Sequence, residues 1–177
     1  MNKKQQMTKL TILKYPHPFL KKVAKPVAEN AIDDNLRDTI NAMFSAMYEA
    51  HGGGLAATQV GLDMRVFIMD GSENKDQSIV AINPKILEKK GEIYEEEGCL
   101  SFPGVSATVK RAEWVKMTAL NISGERYELE TDGYLGRCIQ HELDHLNGIT
   151  YFDHLSALKR SIIEKKYKKL LRENANH

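Results

Sequence analysis

Gln140-His141-Glu142-Leu143-Asp144-His145-Leu146-Asn147-Gly148 is the stretch around which this chain is organised. On a helix, His141 and His145 lie four residues apart on one face, so two imidazoles can close on a single metal ion with Glu142 beside it. This is the H-E-x-x-H spacing, in which the metal acidifies a bound water and the carboxylate relays its proton. A helix here has independent support. Thr131 or Asp132 can cap its start and Gly148 can end it. Leu135, Ile139, Leu143 and Leu146 recur at helical spacing, forming an expected buried stripe that leaves the histidines at the rim of a cleft. Two histidines four apart also arise by chance, so a third ligand has to decide the matter.

Length and composition limit what surrounds such a site. With 177 residues, 42% hydrophobic and 28% charged, the sequence suits one globular domain over residues 1–177 with a real core, unbroken by a linker or repeat. Net charge is +1, from 25 basic and 24 acidic residues, so no global field recruits DNA or an anionic membrane. The opening Met1-Asn2-Lys3-Lys4-Gln5-Gln6-Met7 is polar, residues 1–8 are expected to be flexible, and no apolar run there is long enough for a signal peptide or a span. A cytoplasmic protein, monomeric or weakly associating, is the expectation. Cys99 and Cys138 are the only cysteines, too few for a disulfide framework, which leaves a thiolate free to serve as a ligand.

Outward from the motif, the preceding sequence reads as strands: Arg65 to Met69, Ser78 to Ile82, Ser106 to Arg111, Trp114 to Ile122 and Arg126 to Thr131, with a polar turn from Asp70 to Gln77. Many short strands with few helices between them favour antiparallel pairing and an α+β class. The predicted architecture is antiparallel strands packed around a central H-E-x-x-H helix, with an amphipathic helix at the carboxy terminus. Earlier still, Leu36, Ile40, Met43, Phe44 and Met47 follow helical spacing behind candidate caps Asp33 and Asp34, so an amphipathic helix ends near Gly52 and its methionines belong to the core. Residues 10–28, punctuated by Pro16, Pro18 and Pro26, read as a surface wrap.

Two stretches carry further chemistry. Gly52-Gly53-Gly54-Leu55-Ala56-Ala57-Thr58-Gln59 gathers small residues that let a peptide approach the backbone, and ends on a neutral amide donor. Glu97-Gly98-Cys99-Leu100-Ser101 supplies a candidate third ligand, since one thiolate with two imidazoles leaves a fourth position for water, although a free cysteine is also commonly just a small buried hydrophobe. Cys138, three residues before His141, is the rival, but it is placed to pack within the helix.

Together these three stretches resemble the peptide deformylases, whose signatures have the forms G-x-G-L-A-A-x-Q, E-G-C-L-S and H-E-x-D-H. All three stand here in order and in full. The resemblance extends to Ile12-Leu13-Lys14-Tyr15-Pro16 and Val23-Ala24-Lys25-Pro26-Val27, and onward to Leu158-Lys159-Arg160. It implies a hydrolase that removes the formyl group from the amino-terminal formylmethionine of new polypeptides and releases formate. It implies Cys99, His141 and His145 as metal ligands, Glu142 as general base and then general acid, and Gln59 with the Leu100 N–H as donors to the formyl oxygen. Gly53, Gly54 and Gly98 fall where the family offers backbone to a peptide added as a strand. The implied cofactor is one divalent ion, ferrous iron natively, with zinc, nickel or cobalt able to stand in.

The sequence departs from the family pattern around the pocket for the first side chain. Gly53 stands where a branched apolar residue is common, Glu95 and Arg137 stand where apolar residues are frequent, and Ser106 replaces a frequent arginine. Helix geometry puts Arg137 one turn from His141. Either it charges the pocket, paired with Glu95 and favouring a polar or acidic side chain, or both charges turn outward and their stems line the rim. Asp144 reads as a carboxylate that orients a ligand histidine, or pairs with a base such as Arg111, or simply faces solvent. Residues 156–173 read as a basic amphipathic helix, with Leu158, Ile162, Ile163, Tyr167 and Leu170 interleaved with lysines. The family resemblance implies ribosome contact for it. Two other functions fit the same residues: an amidase with a polar first side chain, or an inactive ribosome-associated binding module.

Overall fold

The computed structural model describes residues 8–177, so the flexibility expected of residues 1–8 lies, but for Thr8, outside the described residues. Among the described residues, seven strands form two antiparallel sheets. The larger contains β1 (Gly54–Ala56), β2 (Val66–Met69), β3 (Ile79–Lys90), β6 (Trp114–Leu120) and β7 (Arg126–Asp132), in the order β1-β2-β3-β6-β7. The smaller pairs β4 (Ile93–Glu97) with β5 (Ala107–Arg111). Three α-helices accompany them: α1 (Asp34–Glu49), α2 (Gly133–Leu146) and α3 (Ala157–Ala175).

Strand β2 is wholly apolar because both of its faces are covered. Val66 and Ile68 join Leu36, Ile40, Met43 and Met47 of α1 on one side of the sheet. Phe67 and Met69 join Ile139 and Leu146 of α2 on the other. Each such fully buried side chain contributes about 1.5–3 kcal/mol relative to exposure. Helix α1 begins where Asp33 accepts a hydrogen bond from the Leu36 N–H at 2.9 Å. A third, aromatic cluster of Phe102, Tyr151, Phe152 and Tyr167 lies between the small sheet and α3.

Two strands lie outside the predicted set. Strand β1 is three residues of a glycine-rich stretch, and β4 is the acidic run that composition alone marks as solvated. Strand β3 continues eight residues past Ile82, to Lys90, although Pro84 reads as a breaker. The register shifts between Ile82 and Lys85 let Pro84 fall in an irregularity where no ladder donor is required. The proline-punctuated segment does wrap the surface: its Ala24 N–H donates at 2.9 Å to the carbonyl of Leu146, the last residue of α2. Gly148 admits it, with a φ of +72° and with the Lys21 carbonyl where a Cβ would stand.

Candidate metal centre and active site

Helix α2 is buried on two sides. Ile139 and Leu146 face the sheet, while His141 stacks near Tyr151 of the aromatic cluster at 6.3 Å between ring centroids. His145 is 0% exposed, Glu142 3% and His141 9%, so the polar face expected at a cleft rim is instead interior. Leu135 and Leu143 of the expected apolar stripe are only partly buried. Strand β4, outside the predicted set, and the loop that follows it cover that polar face through Glu97 and Cys99.

Cys99 enters from the loop after β4. Its Sγ lies 3.3 Å from His145 Nε2, which in turn lies 3.2 Å from His141 Nε2. All three donor atoms fall within 4.8 Å of one another. Donors held tetrahedrally by one ion at ordinary zinc bond lengths stand about 3.4–3.6 Å apart, so this set closes on a single centre. His145 Nδ1 and Glu142 Oε2 are buried polar atoms without a hydrogen-bond partner among the described residues. Burial, with the charge on His141 second, pushes the His145 pKa well down and keeps that ring neutral, as a ligand must be.

His141 is oriented from behind by a residue absent from the sequence-based list. Glu97 Oε2 lies 2.9 Å from His141 Nδ1, which turns Nε2 toward Cys99. Glu97 also receives Arg111 through Nε at 2.7 Å and Nη2 at 2.9 Å. Burial raises the Glu97 pKa, but the hydrogen bonds from Arg111 and His141 outweigh it and hold the carboxyl at about 2. Asp144 accepts from Arg111 Nη1 at 2.6 Å and lies 2.7 Å from His154 Nε2, so its partners are Arg111 and His154, not a ring of the cysteine–histidine cluster. The readable signal was β5: Ala107, Val109 and Arg111 occupy its buried alternate positions, and a buried arginine requires a carboxylate nearby.

Burial drives the Glu142 carboxyl up to about 7. Gln59, 1% exposed, is fixed at both ends of its amide: Oε1 accepts from the Ala56 N–H at 2.9 Å, and Nε2 donates to Ser101 Oγ at 3.1 Å and reaches toward Cys99 Sγ at 3.5 Å. A cavity of about 410 Å³ joins these groups, and Gly53, Gly54, Gly98, Leu100 and Arg137 also line it. It opens between β1 and β4, each of which has its outer edge unpaired in its sheet. Gly54 needs to be glycine, because a Cβ would stand 2.7 Å from Glu142 Oε1 and 2.8 Å from Cys138 Sγ. Glu95 is exposed on β4 and does not line the cavity, so the suggested partnership with Arg137 is not formed; the two charges part company.

One cysteine and two histidines at one centre form a donor set for a metal ion, which would polarise a carbonyl while the buried carboxylate alongside moves a proton. Comparison with known proteins agrees. The family model described as polypeptide deformylase matches residues 9–161. The peptide deformylase of Neisseria meningitidis is 52% identical over 163 residues, covering 92% of this chain and 96% of that one. The crystal structure of a peptide deformylase from Legionella pneumophila superposes with a TM-score of 0.91 at 43% identity, covering 96% of this chain and 99% of the other. That of the Synechococcus elongatus peptide deformylase in complex with actinonin gives 0.85 at 38%, over 90% and 91%. The chain belongs to the polypeptide deformylase family.

Proposed function

We propose that this enzyme hydrolyses the formyl group from the amino-terminal formylmethionine of nascent polypeptides and releases formate. The observation that carries the reading is the convergence of Cys99, His141 and His145 on one centre inside a cavity that also holds Glu142 and Gln59. Those three residues would hold one divalent ion, ferrous iron natively, with zinc, nickel or cobalt able to replace it, and when bound it would supply Lewis acidity toward water and the formyl carbonyl.

The protein's own groups do the rest. The peptide lies extended along the free edge of β1, its backbone meeting Gly53 and Gly54 on one side and Gly98 on the other, which makes recognition independent of most side chains. The Gln59 amide and the Leu100 N–H receive the formyl oxygen as it gains negative charge. Glu142 takes a proton from the attacking water as the new C–O bond forms. When the C–N bond breaks, it passes that proton to the departing amine, leaving formate and a free amino terminus. The pKa near 7 that burial gives this carboxyl suits a group that must both accept and return a proton.

For the carboxy-terminal helix we propose ribosome contact, on the ground that Leu158 and Ile162 are 72% and 59% exposed beside Lys159, Lys165 and Lys166. An inactive binding module is disfavoured, since it has no use for a buried carboxylate beside three converging ligands. The test is formate release from a formyl-methionyl peptide by anaerobically iron-loaded protein. The expected result is turnover that tracks one ion per chain and disappears on chelation; turnover unaffected by removal of the metal would contradict the reading.

A further inference from the structure

The pocket beside the metal centre has a polar wall that the reaction does not use. Arg137 lines the cavity one helical turn before His141. Its Nε is buried without a hydrogen-bond partner among the described residues. Its guanidinium carbon stands 5.8 Å from the centroid of the Tyr134 ring, at the limit of a cation–π contact. A buried donor without an acceptor is a cost that a suitable ligand removes. Tyr134 explains Gly53: its hydroxyl occupies the place of a Cβ at that position, and its ring lies 3.3 Å from where a Cβ on Gly71 would be. The phenol that fills the place of a Gly53 side chain and the guanidinium of Arg137 therefore stand side by side on one wall of the pocket, both carried by α2.

Building on the deformylase reading, we propose that Arg137 and Tyr134 make the first-side-chain pocket a hydrogen-bond donor. It takes an unbranched side chain of about methionine's length that ends in an acceptor oxygen. Glutamate, glutamine and methionine sulfoxide share that chemistry, and the sulfoxide is the form available to a chain that begins with formylmethionine. The alkyl stem of Arg137 and the Cys138 thiol still cover the methylenes of the side chain, so methionine remains a substrate. What the guanidinium changes is the preference between a sulfur or carbon terminus and an oxygen.

The test is kcat/KM for formate release from formyl-X-Ala-Ser peptides, with X methionine, norleucine, glutamine, glutamate or methionine sulfoxide, on metal-loaded protein. Each oxygen-bearing peptide is expressed as a ratio to norleucine within the same protein, so a change in folded fraction cancels. In Arg137→Met the three ratios fall about tenfold or more, and Arg137→Lys recovers part of the loss. Tyr134→Phe moves them in the same direction by less. Equal ratios in wild type and Arg137→Met overturn the proposal, and continued turnover of formyl-norleucine then leaves the deformylase reading standing. A fall confined to glutamate overturns it as well, since charge and not acceptor chemistry would be sensed. Formate from none of the peptides, with metal bound, overturns both.

Discussion

Glu97 does more for the site than its place in an acidic run suggests. It joins His141 to Arg111, and Arg111 joins it to Asp144, so three ionisable side chains behind the centre are mutually compensated. Replacing Arg111 with Met leaves Glu97 and Asp144 without their shared cation. The expected cost is about 3–5 kcal/mol in urea unfolding. A drop in metal affinity of about 10- to 100-fold, measured by competition with a chelator, accompanies it. Gly54→Ala acts differently: its Cβ would press on Glu142 Oε1 and Cys138 Sγ. Formate release should fall about 100-fold or more, the effect of misplacing a reacting group by an ångström. Metal content should be unchanged, and a variant as active as wild type would show that Glu142 has more freedom than its burial indicates. The ligand residues themselves were legible as a spacing plus one cysteine, whereas Glu97 was not, because its role depends on the β4–β5 pairing that brings it within reach of the Arg111 side chain, 14 residues away.

At the scale of elements, legibility followed the strength of local pattern. Helix α1 announces itself through its Asp33 cap and a 3.6-residue period, and α2 through its period and Gly148, since Asp132 stands at its start without a side-chain cap hydrogen bond; β2, β5, β6 and β7 do so through β-branched or alternating runs. Strands β1 and β4 have neither. Gly54-Leu55-Ala56 is held only by β2, with Gly54 opposite Met69, and β4 only by β5. These two strands flank the cavity, so the elements least visible in the sequence frame the proposed peptide groove. Helix α3 shows the reverse error, since Leu158 and Ile162 belong to its apparent stripe yet point to solvent, while Tyr167 is 0% exposed. Tyr167 also donates through its hydroxyl to Tyr15 O at 2.7 Å. Tyr167→Ala should cost about 3–5 kcal/mol, as large aromatic truncations in cores do. The double replacement of Leu158 and Ile162 by Ser should leave thermal unfolding within about 0.5 kcal/mol per site of wild type. The same double variant should reduce co-sedimentation with ribosomes; unchanged co-sedimentation would contradict the proposed contact.

Across the whole molecule, two sheets and three helices place one polar helix face between an extended sheet and an aromatic cluster, and the α+β class follows from that stacking. Among the described residues no helix is long and apolar enough to cross a membrane. The buried charges give the fold a pH signature. Glu97 is held at about 2 against an ordinary value of 4.5, so its contribution is complete above about pH 4.5 and drains away as pH falls toward 2. The contribution is on the order of 3 kcal/mol at neutral pH. Denaturant midpoints should therefore decline between pH 4.5 and pH 2 in the wild type, and much less steeply in Glu97→Gln, which starts from lower stability. Equal slopes for the two would mean that other carboxylates set the acid limit.

The most direct measurement is formate release from a formyl-methionyl peptide by Glu142→Ala beside wild type, both loaded anaerobically and both assayed for bound iron. Full metal occupancy in the variant with turnover reduced at least about 1000-fold is the predicted result, because the centre remains while the proton carrier is lost. Turnover near the wild-type rate with the same occupancy would contradict the central claim that this buried carboxylate carries the proton.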